Sequence, residues 1–218
     1  MHTNFRLRAL AALLSDDVLR FVLGELPAAP ARVLEVGAGD GALAAVLRAA
    51  GYDVLAIDPA GEPPVVPVEL NDLDEPDGSF DAAVAVVSLH HVEPLEESLG
   101  KLARLVRPGG MLAVDELDVD QLDQRATRWW IERRLDLGLE APHDPAEMVE
   151  EMRGHIHPVP QIYQLLDGPF ELGPLARGSY LHRWHLDLDL RDAEEALIAS
   201  GDLPATGVRF SGRRRERS

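Results

Sequence analysis

The segment Val33-Leu34-Glu35-Val36-Gly37-Ala38-Gly39-Asp40-Gly41 constrains this chain more than any other. A run of apolar and β-branched residues ends in three glycines spaced two apart, and apolar residues at helical spacing follow at Leu43, Val46, Leu47 and Ala50. Strand, tight turn and helix N-terminus in that order form the opening unit of a doubly wound α/β sheet. Glycine lets such a turn take positive φ, and its missing side chain lets the backbone approach a nucleotide-like ligand closely.

Two ligand classes use a turn of this kind. Gly37 to Ala42 satisfies G-x-G-x-x-G/A, the dinucleotide pattern. Glu35 to Gly41 reads equally as E-x-G-x-G-x-G, with an acidic residue just ahead of the bend. Asp58 closes the next strand-like run, Asp53–Ile57, where a carboxylate can accept both hydroxyls of a ribose. The plainer alternatives are a turn that only needs positive φ and an Asp58 that only caps a turn.

The rest of the chain keeps the α/β alternation. Strands are expected at Arg32–Val36, Asp53–Ile57, near Val65–Val68, at Phe80–Val87 and at Met111–Val114, with helices over Asp40–Ala50 and Pro94–Val106 between them. The nearly continuous apolar run FDAAVAVV suits a central parallel strand buried on both faces. Ahead of this core, Leu10, Leu13, Leu14, Val18, Phe21 and Val22 recur at helical spacing, and Ser15-Asp16-Asp17 can cap a second helix.

Beyond Asp115, Leu117–Arg134 reads as helical and carries Trp129-Trp130. A His- and Pro-containing stretch runs from Leu137 to Pro160. Phe170–Leu172 reads as a strand, Tyr180–Leu188 and Asp192–Ser200 as helical, and Gly207–Phe210 as the last strand. This gives a single domain over residues 1–211, with N-terminal helices in 1–30, a lid in 117–166 and a solvated tail at 212–218.

A formal net charge of -17 repels phosphate backbones and anionic lipid, so neither nucleic acid nor membrane is an expected partner. Cysteine is absent, which removes disulfides and thiolate metal sites. No secretory leader and no uninterrupted apolar span is evident, and a cytoplasmic location is expected.

Three further segments complete a pattern. Pro76-Asp77-Gly78-Ser79-Phe80-Asp81 leads into the buried strand, Ser88-Leu89-His90-His91 leaves it, and Leu105-Val106-Arg107-Pro108-Gly109-Gly110-Met111-Leu112 comes next. In this order the set resembles the class I S-adenosylmethionine-dependent methyltransferases, particularly the small-molecule type with an SLHH segment. The resemblance is close over Arg32–Glu116 and looser near Ala205–Arg209.

It implies a Rossmann-like, doubly wound, mostly parallel seven-stranded sheet with a helical lid, and S-adenosyl-L-methionine as cofactor. Glu35 would organise the turn and meet the ammonium of the methionine portion. Gly37, Ala38, Gly39 and Gly41 would let the backbone pass close to the ligand. Asp58 would bind the ribose hydroxyls and Pro59 would lie against the adenine edge. Glu69, with Leu70 beside it, would take the adenine-contacting place, with Asn71 and Asp72 as competitors. Ser88 would contribute backbone near the methionine portion.

A cationic sulfonium ligand suits Glu35 better than a pyrophosphate does. The implied reaction is in-line methyl transfer to a small organic acceptor, for which the protein aligns the acceptor and, where needed, removes a proton. His90 and His91 are the candidate bases, set against packing and loop-support roles. No metal is expected, because His155-x-His157 lacks a third ligand. Asp115-Glu116 either orients an acceptor or starts a helix. An NAD(P)-dependent oxidoreductase and a non-catalytic methyltransferase-like binding protein are the rival readings.

Overall fold

The computed structural model describes residues 16–216, except 143 and 187. The expected helical positions Leu10, Leu13 and Leu14, the cap residue Ser15, and tail residues 217–218 lie outside the described residues. In chain order the elements are α1 (Asp16–Glu25), β1 (Arg32–Val36), α2 (Ala42–Ala49), β2 (Asp53–Ile57), β3 (Phe80–Val86), α3 (Leu95–Leu105) and β4 (Val106–Leu117). After these come α4 (Gln124–Asp136), α5 (Pro145–His155), α6 (Val159–Asp167), β5 (Phe170–Leu172), β6 (Ala176–Gly178), α7 (Arg191–Ser200) and β7 (Gly207–Arg214).

The seven strands form one sheet in the order β2-β1-β3-β4-β7-β5, with β6 also paired to β7. The pairings of β2, β1, β3 and β4 are parallel, and β7 pairs antiparallel with β4, β5 and β6. Only β7 therefore runs against the common direction, and the sheet is Rossmann-like and mostly parallel. The strand order reverses between β1 and β3, and in sheets of this kind that crevice is where ligands bind.

Alternation along the strands sorts the core onto two faces. Leu34 and Val36 pack with Phe80, Ala83 and Ala85 against α3 and α6, through Leu99, Leu102, Ile162 and Leu166. Val33, Ala82 and Val84 pack on the other face against α1 and α2, through Val18, Val22, Leu43 and Leu47. A separate cluster, with Ala126, Trp129, Trp130, Val149 and Leu181, gives the helical cap its own small core.

Several boundaries differ from the sequence reading. Near Val65–Val68 there is only one bridge, Ile57 to Val66, because the proline-rich flank gives the segment no second ladder partner. Residues 107–110, read as a turn, fall within β4, whose register with β3 shifts between Phe80 and Ala82. The Tyr180–Leu188 stretch is not a helix but short 3₁₀ turns at Leu181–Arg183 and Leu188–Leu190.

The last strand continues through Arg214, so Gly212, Arg213 and Arg214 belong to the sheet and not to a tail. The Arg214 side chain donates to the carbonyls of Ala103 and Pro169, which explains why its charge does not end the strand. Of the segment read as a lid, α6 instead packs Ile162 and Leu166 into the main core. Trp129 and Trp130 are both buried.

Candidate active site

The glycine turn joins β1 to α2, and all three glycines have positive φ: 69° at Gly37, 54° at Gly39 and 77° at Gly41. Their surroundings differ. A Cβ on Gly37 would fall 2.2 Å from Ser88 Cβ, and one on Gly41 would fall 2.8 Å from Val65 Cγ2, so packing within the protein already demands glycine there. A Cβ on Gly39 would meet nothing within 4 Å. Gly39 alone of the three faces open space.

Asp58 ties the ends of β1 and β2 together. Its Oδ2 accepts the Gly39 N–H at 2.9 Å and its Oδ1 accepts the Ala60 N–H at 2.9 Å. Each oxygen keeps a lone pair for a further donor. The cavity beside it, of about 330 Å³, is lined by Gly37, Asp58, Pro59, Ala60, Glu69, Leu70, Val87, Ser88, His91 and Glu93, with Val36, Ile57, Val68 and Val92 supplying apolar wall. Gly37, Asp58, Pro59, Glu69, Leu70, Ser88 and His91 are thus brought together. Ala38, Gly39 and Gly41 shape the turn without lining the cavity, and Asn71 and Asp72 do not line it either.

Glu35 stands one strand position before the cavity wall. It is 4% exposed, and its Oε2 is buried with no hydrogen-bond partner. Burial pushes its carboxyl up to about 8, while the Arg48 charge pulls the other way. Glu35 does not line the cavity; its carboxyl faces Arg48, Asp40 and the backbone of Ala44.

Ser88-Leu89-His90-His91 leaves β3 as a 3₁₀ turn held by one buried side chain. Glu116, fully buried on β4, accepts the N–H groups of Ser88 at 3.0 Å and Leu89 at 2.7 Å through Oε1. Its Oε2 lies 2.6 Å from His90 Nδ1. The Ser88 N–H is therefore committed to Glu116, and its hydroxyl donates to Val36 O at 2.7 Å, so Ser88 has no free donor for the methionine portion.

Asp115 and Glu116 do not start a helix. Both sit inside β4, and Asp115 is buried between Arg183 and Arg209. Neither carboxylate is free to orient an acceptor. Sequence reading missed Glu116 as the anchor of His90, because the pairing of β3 with β4 brings them together across 26 residues.

His90 and His91 face different spaces. His90 lines a second cavity, of about 520 Å³, with Leu117, Met148, Met152, Tyr180, Arg183 and Trp184. His91 lines both cavities, as does Val87. Val87 has φ 53°, an uncommon conformation for a β-branched residue, and its N–H donates to Asp115 O at 2.7 Å. Desolvation, then the neighbouring His90, keeps the His91 imidazole below its usual range and hence neutral at pH 7.

A larger cavity, of about 790 Å³, lies between α4 and α5, but it contains neither the glycine turn nor Asp58. Among the described residues no cluster of three His, Asp or Glu side chains is arranged to hold a metal. His155 Nδ1 lies against Glu151 O, and His157 Nε2 is 2.9 Å from Glu93 Oε1. Among the described residues no helix is long and apolar enough to cross a membrane.

A reversed strand order with a glycine turn and an aspartate at the switch point is the arrangement in which open α/β sheets bind nucleoside-containing ligands. The methyltransferase-domain family profile matches residues 6–160, well over half of the chain, and the chain belongs to that family. Asp58 and the cavity beside it leave acceptors and room for a nucleoside cofactor.

The chain is 36% identical over 100 residues to an uncharacterised methyltransferase of Mycobacterium bovis, covering 41% of each protein. It is 31% identical over 160 residues to a malonyl-[acyl-carrier protein] O-methyltransferase of Pseudescherichia vulneris, covering 66% of this chain and 63% of that protein. The chain thus spans about two fifths of the length of the first of these curated relatives. The crystal structure of Burkholderia thailandensis 1,6-didemethyltoxoflavin-N1-methyltransferase, which contains S-adenosylhomocysteine, shares the fold with a TM-score of 0.56 at 19% identity. That match covers 94% of this chain and 79% of that one.

Proposed function

We propose that this protein transfers a methyl group from S-adenosylmethionine to a small organic acceptor, with the cofactor in the cavity at Asp58 and the acceptor in the cavity at His90. The observation that carries this reading is that the two cavities share Val87 and His91. A donor in one and an acceptor in the other adjoin at Val87 and His91.

When bound, S-adenosylmethionine supplies an electrophilic methyl: an acceptor lone pair bonds to the methyl carbon, the carbon–sulfur bond breaks and its electron pair stays on sulfur, leaving S-adenosylhomocysteine. The chain's own groups do the rest. Asp58 takes the ribose hydroxyls on its remaining lone pairs, and Glu35 takes the ammonium. Pro59, Leu70, Val68 and Val92 provide an apolar slot for the base, with Glu69 at its edge.

His90 is the proton acceptor. Glu116 accepts the hydrogen bond of Nδ1–H and so leaves Nε2 as the basic nitrogen. The carboxylate behind the ring stabilises the imidazolium once the proton arrives, an arrangement typical of a base with an orienting partner. His91 lies at the junction and has no carboxylate behind it, so it borders the transfer path without serving as the base.

Isothermal titration of the full chain with S-adenosylmethionine, S-adenosylhomocysteine and NADH tests the reading. Binding of the first two without NADH is expected. Binding of NADH alone would replace methyl transfer with hydride transfer. His90→Gln should leave S-adenosylhomocysteine affinity within about twofold while slowing transfer by roughly 10²–10⁴-fold.

A further inference from the structure

The geometry points to a flat aromatic acceptor bearing an ionisable hydroxyl, a phenol, as the occupant of the cavity at His90; this rests on the methyl-transfer reading above. Three features of the cavity wall argue for it.

The first is shape and surface. Trp184 lines the cavity and is held in place from behind: its ring stacks on Trp130 at 4.2 Å with an interplanar angle of 21°, and Trp130 Nε1 donates to the Trp184 carbonyl at 2.8 Å. Arg134 covers Trp130 at 4.8 Å, completing a layered stack. Met148 and Met152, successive-turn neighbours on α5, also line the cavity. A fixed indole together with thioethers favours a planar π ligand, because thioether–aromatic and ring–ring contacts add to simple burial.

The second is the base. A phenol has an ordinary pKa near 10 and a carboxylic acid near 4. A carboxylate acceptor is already ionised at neutral pH and gives the His90–Glu116 pair no proton to take. An aliphatic alcohol gives up its proton only in step with bond formation, whereas a phenol can ionise before the transfer. A phenol lies within reach, and its proton passes to His90 Nε2 as its oxygen becomes the nucleophile for the transfer balanced above. The imidazolium then returns the proton to solvent.

The third is charge. Arg183 lines the cavity with its guanidinium on Asp115, a carboxylate it shares with Arg209. Arg183 Nε is buried without a partner. Its Cζ lies 4.9 Å from the centre of the Tyr180 ring, which also lines the cavity. A guanidinium so placed offers a charge partner to a developing phenolate.

The test uses 4-hydroxybenzonitrile, whose phenolate absorbs at longer wavelength than its neutral form, with benzoate and cyclohexanol as flat-but-ionised and hydroxyl-but-not-flat controls. Each is titrated into the full chain loaded with S-adenosylhomocysteine, followed by tryptophan fluorescence and by phenolate absorbance. The phenol should bind at least tenfold more tightly than either control. Its phenolate band should grow on binding and should disappear in His90→Gln.

Trp184→Ala should weaken phenol binding at least tenfold; if that variant unfolds, Met152→Ala should weaken it severalfold in a folded protein. Equal or tighter binding of benzoate or cyclohexanol, with S-adenosylhomocysteine still bound, overturns the phenol assignment and leaves methyl transfer standing. Failure of S-adenosylhomocysteine itself to bind removes both.

Discussion

Glu194 Oε2 lies 2.7 Å from His182 Nδ1, and both side chains are closed off from solvent. The same carboxylate accepts the N–H groups of Tyr180, Leu181 and His182. Glu116 makes a matching set with Ser88, Leu89 and His90. The backbones agree as well, with φ/ψ of -142/-34° at Tyr180 and -140/-33° at Ser88, each starting a 3₁₀ turn around a fully buried leucine. One device, a buried glutamate capping an x-Leu-His turn, thus builds two walls of the cavity, one carrying His90 and the other Tyr180.

The Glu194 cap makes a prediction about stability and its pH dependence. Burial alone would raise its carboxyl, but the His182 and backbone hydrogen bonds outweigh that and hold it below the usual carboxylate range. A depressed folded-state value contributes stability above the unfolded value, near 4.5, and loses it as pH falls through the folded value. Glu194→Gln should therefore lower unfolding free energy in urea by about 2–3 kcal/mol near neutrality, since charge-assisted bonds to buried donors are lost. The gap from the parent should narrow on acidification below the carboxylate range. A gap independent of pH would mean that the charge on Glu194 carries none of the stability.

At the companion cap the expected change is catalytic. In Glu116→Gln the amide oxygen can still accept from Ser88 and Leu89, which turns the NH₂ group toward His90 Nδ1. The imidazole must then carry its proton on Nε2 and is no longer a base toward the cavity. Methyl transfer should slow by roughly 10²-fold or more, with S-adenosylhomocysteine affinity within about twofold. Nitrogen NMR of the His90 ring should report the exchanged tautomer. An unchanged tautomer together with full activity would remove Glu116 from the orienting role.

These caps also show where sequence reading stopped. The β1–α2 unit, Asp58 and the buried run at Phe80 were legible because each signal is local: a glycine spacing, a strand end, an unbroken apolar stretch. Phe170–Leu172 appears with the bounds expected from its sequence. The caps are not local. Glu116 reaches His90 across 26 residues and Glu194 reaches His182 across 12, and nothing in the pattern of either segment announces the partner. Tyr180–Leu188 has helical apolar spacing, yet its first N–H groups bond to Glu194 and the helix never propagates. Gly212–Arg214 looked like a solvated tail because three of the next residues are charged; pairing with both β4 and β5 overrides that composition. At the glycine turn, spacing alone could not separate Gly39, which faces open space, from Gly37 and Gly41, which are required by Ser88 and Val65.

That difference among glycines can be measured. Gly39→Val should weaken cofactor binding by straining the turn whose N–H Asp58 accepts, while the fold survives with a loss of about 1–3 kcal/mol for a β-branched residue at positive φ. Gly37→Val should instead collapse stability, since its Cβ alone would already overlap Ser88. Thermal melts and titration calorimetry on both variants separate the two. Equal loss of stability would mean that the turn is built for the fold alone.

Asp58→Ala removes an acceptor from Gly39 and Ala60 and, in the proposed binding mode, from the two ribose hydroxyls. Cofactor affinity should fall by about 1–3 kcal/mol. Adenosine, which keeps the sugar and lacks the amino-acid portion, should lose the same increment. If adenosine binding is insensitive to Asp58 while S-adenosylmethionine binding is not, the carboxylate serves some other part of the ligand.

The proposed pairing of Glu35 with the cofactor ammonium couples binding to protons. With its carboxyl near 8, it is largely protonated at pH 7 in the free protein, and an arriving ammonium favours the ionised form. Binding at pH 7 should therefore release close to one proton, seen as a dependence of the calorimetric enthalpy on buffer ionisation heat, and the release should fade as pH rises past 8. The raised value also means that stability of the free protein declines between the unfolded value, near 4.5, and about 8, because the folded state binds the extra proton across that window. Glu35→Gln should abolish the proton release, flatten that decline and weaken S-adenosylmethionine by about 1.5–3 kcal/mol, the worth of a hydrogen bond to a charged group. Adenosine affinity should stay unchanged in the same variant, since adenosine brings no ammonium. Proton release that persists in Glu35→Gln would place the titrating group elsewhere and leave the buried carboxyl as a structural feature of β1.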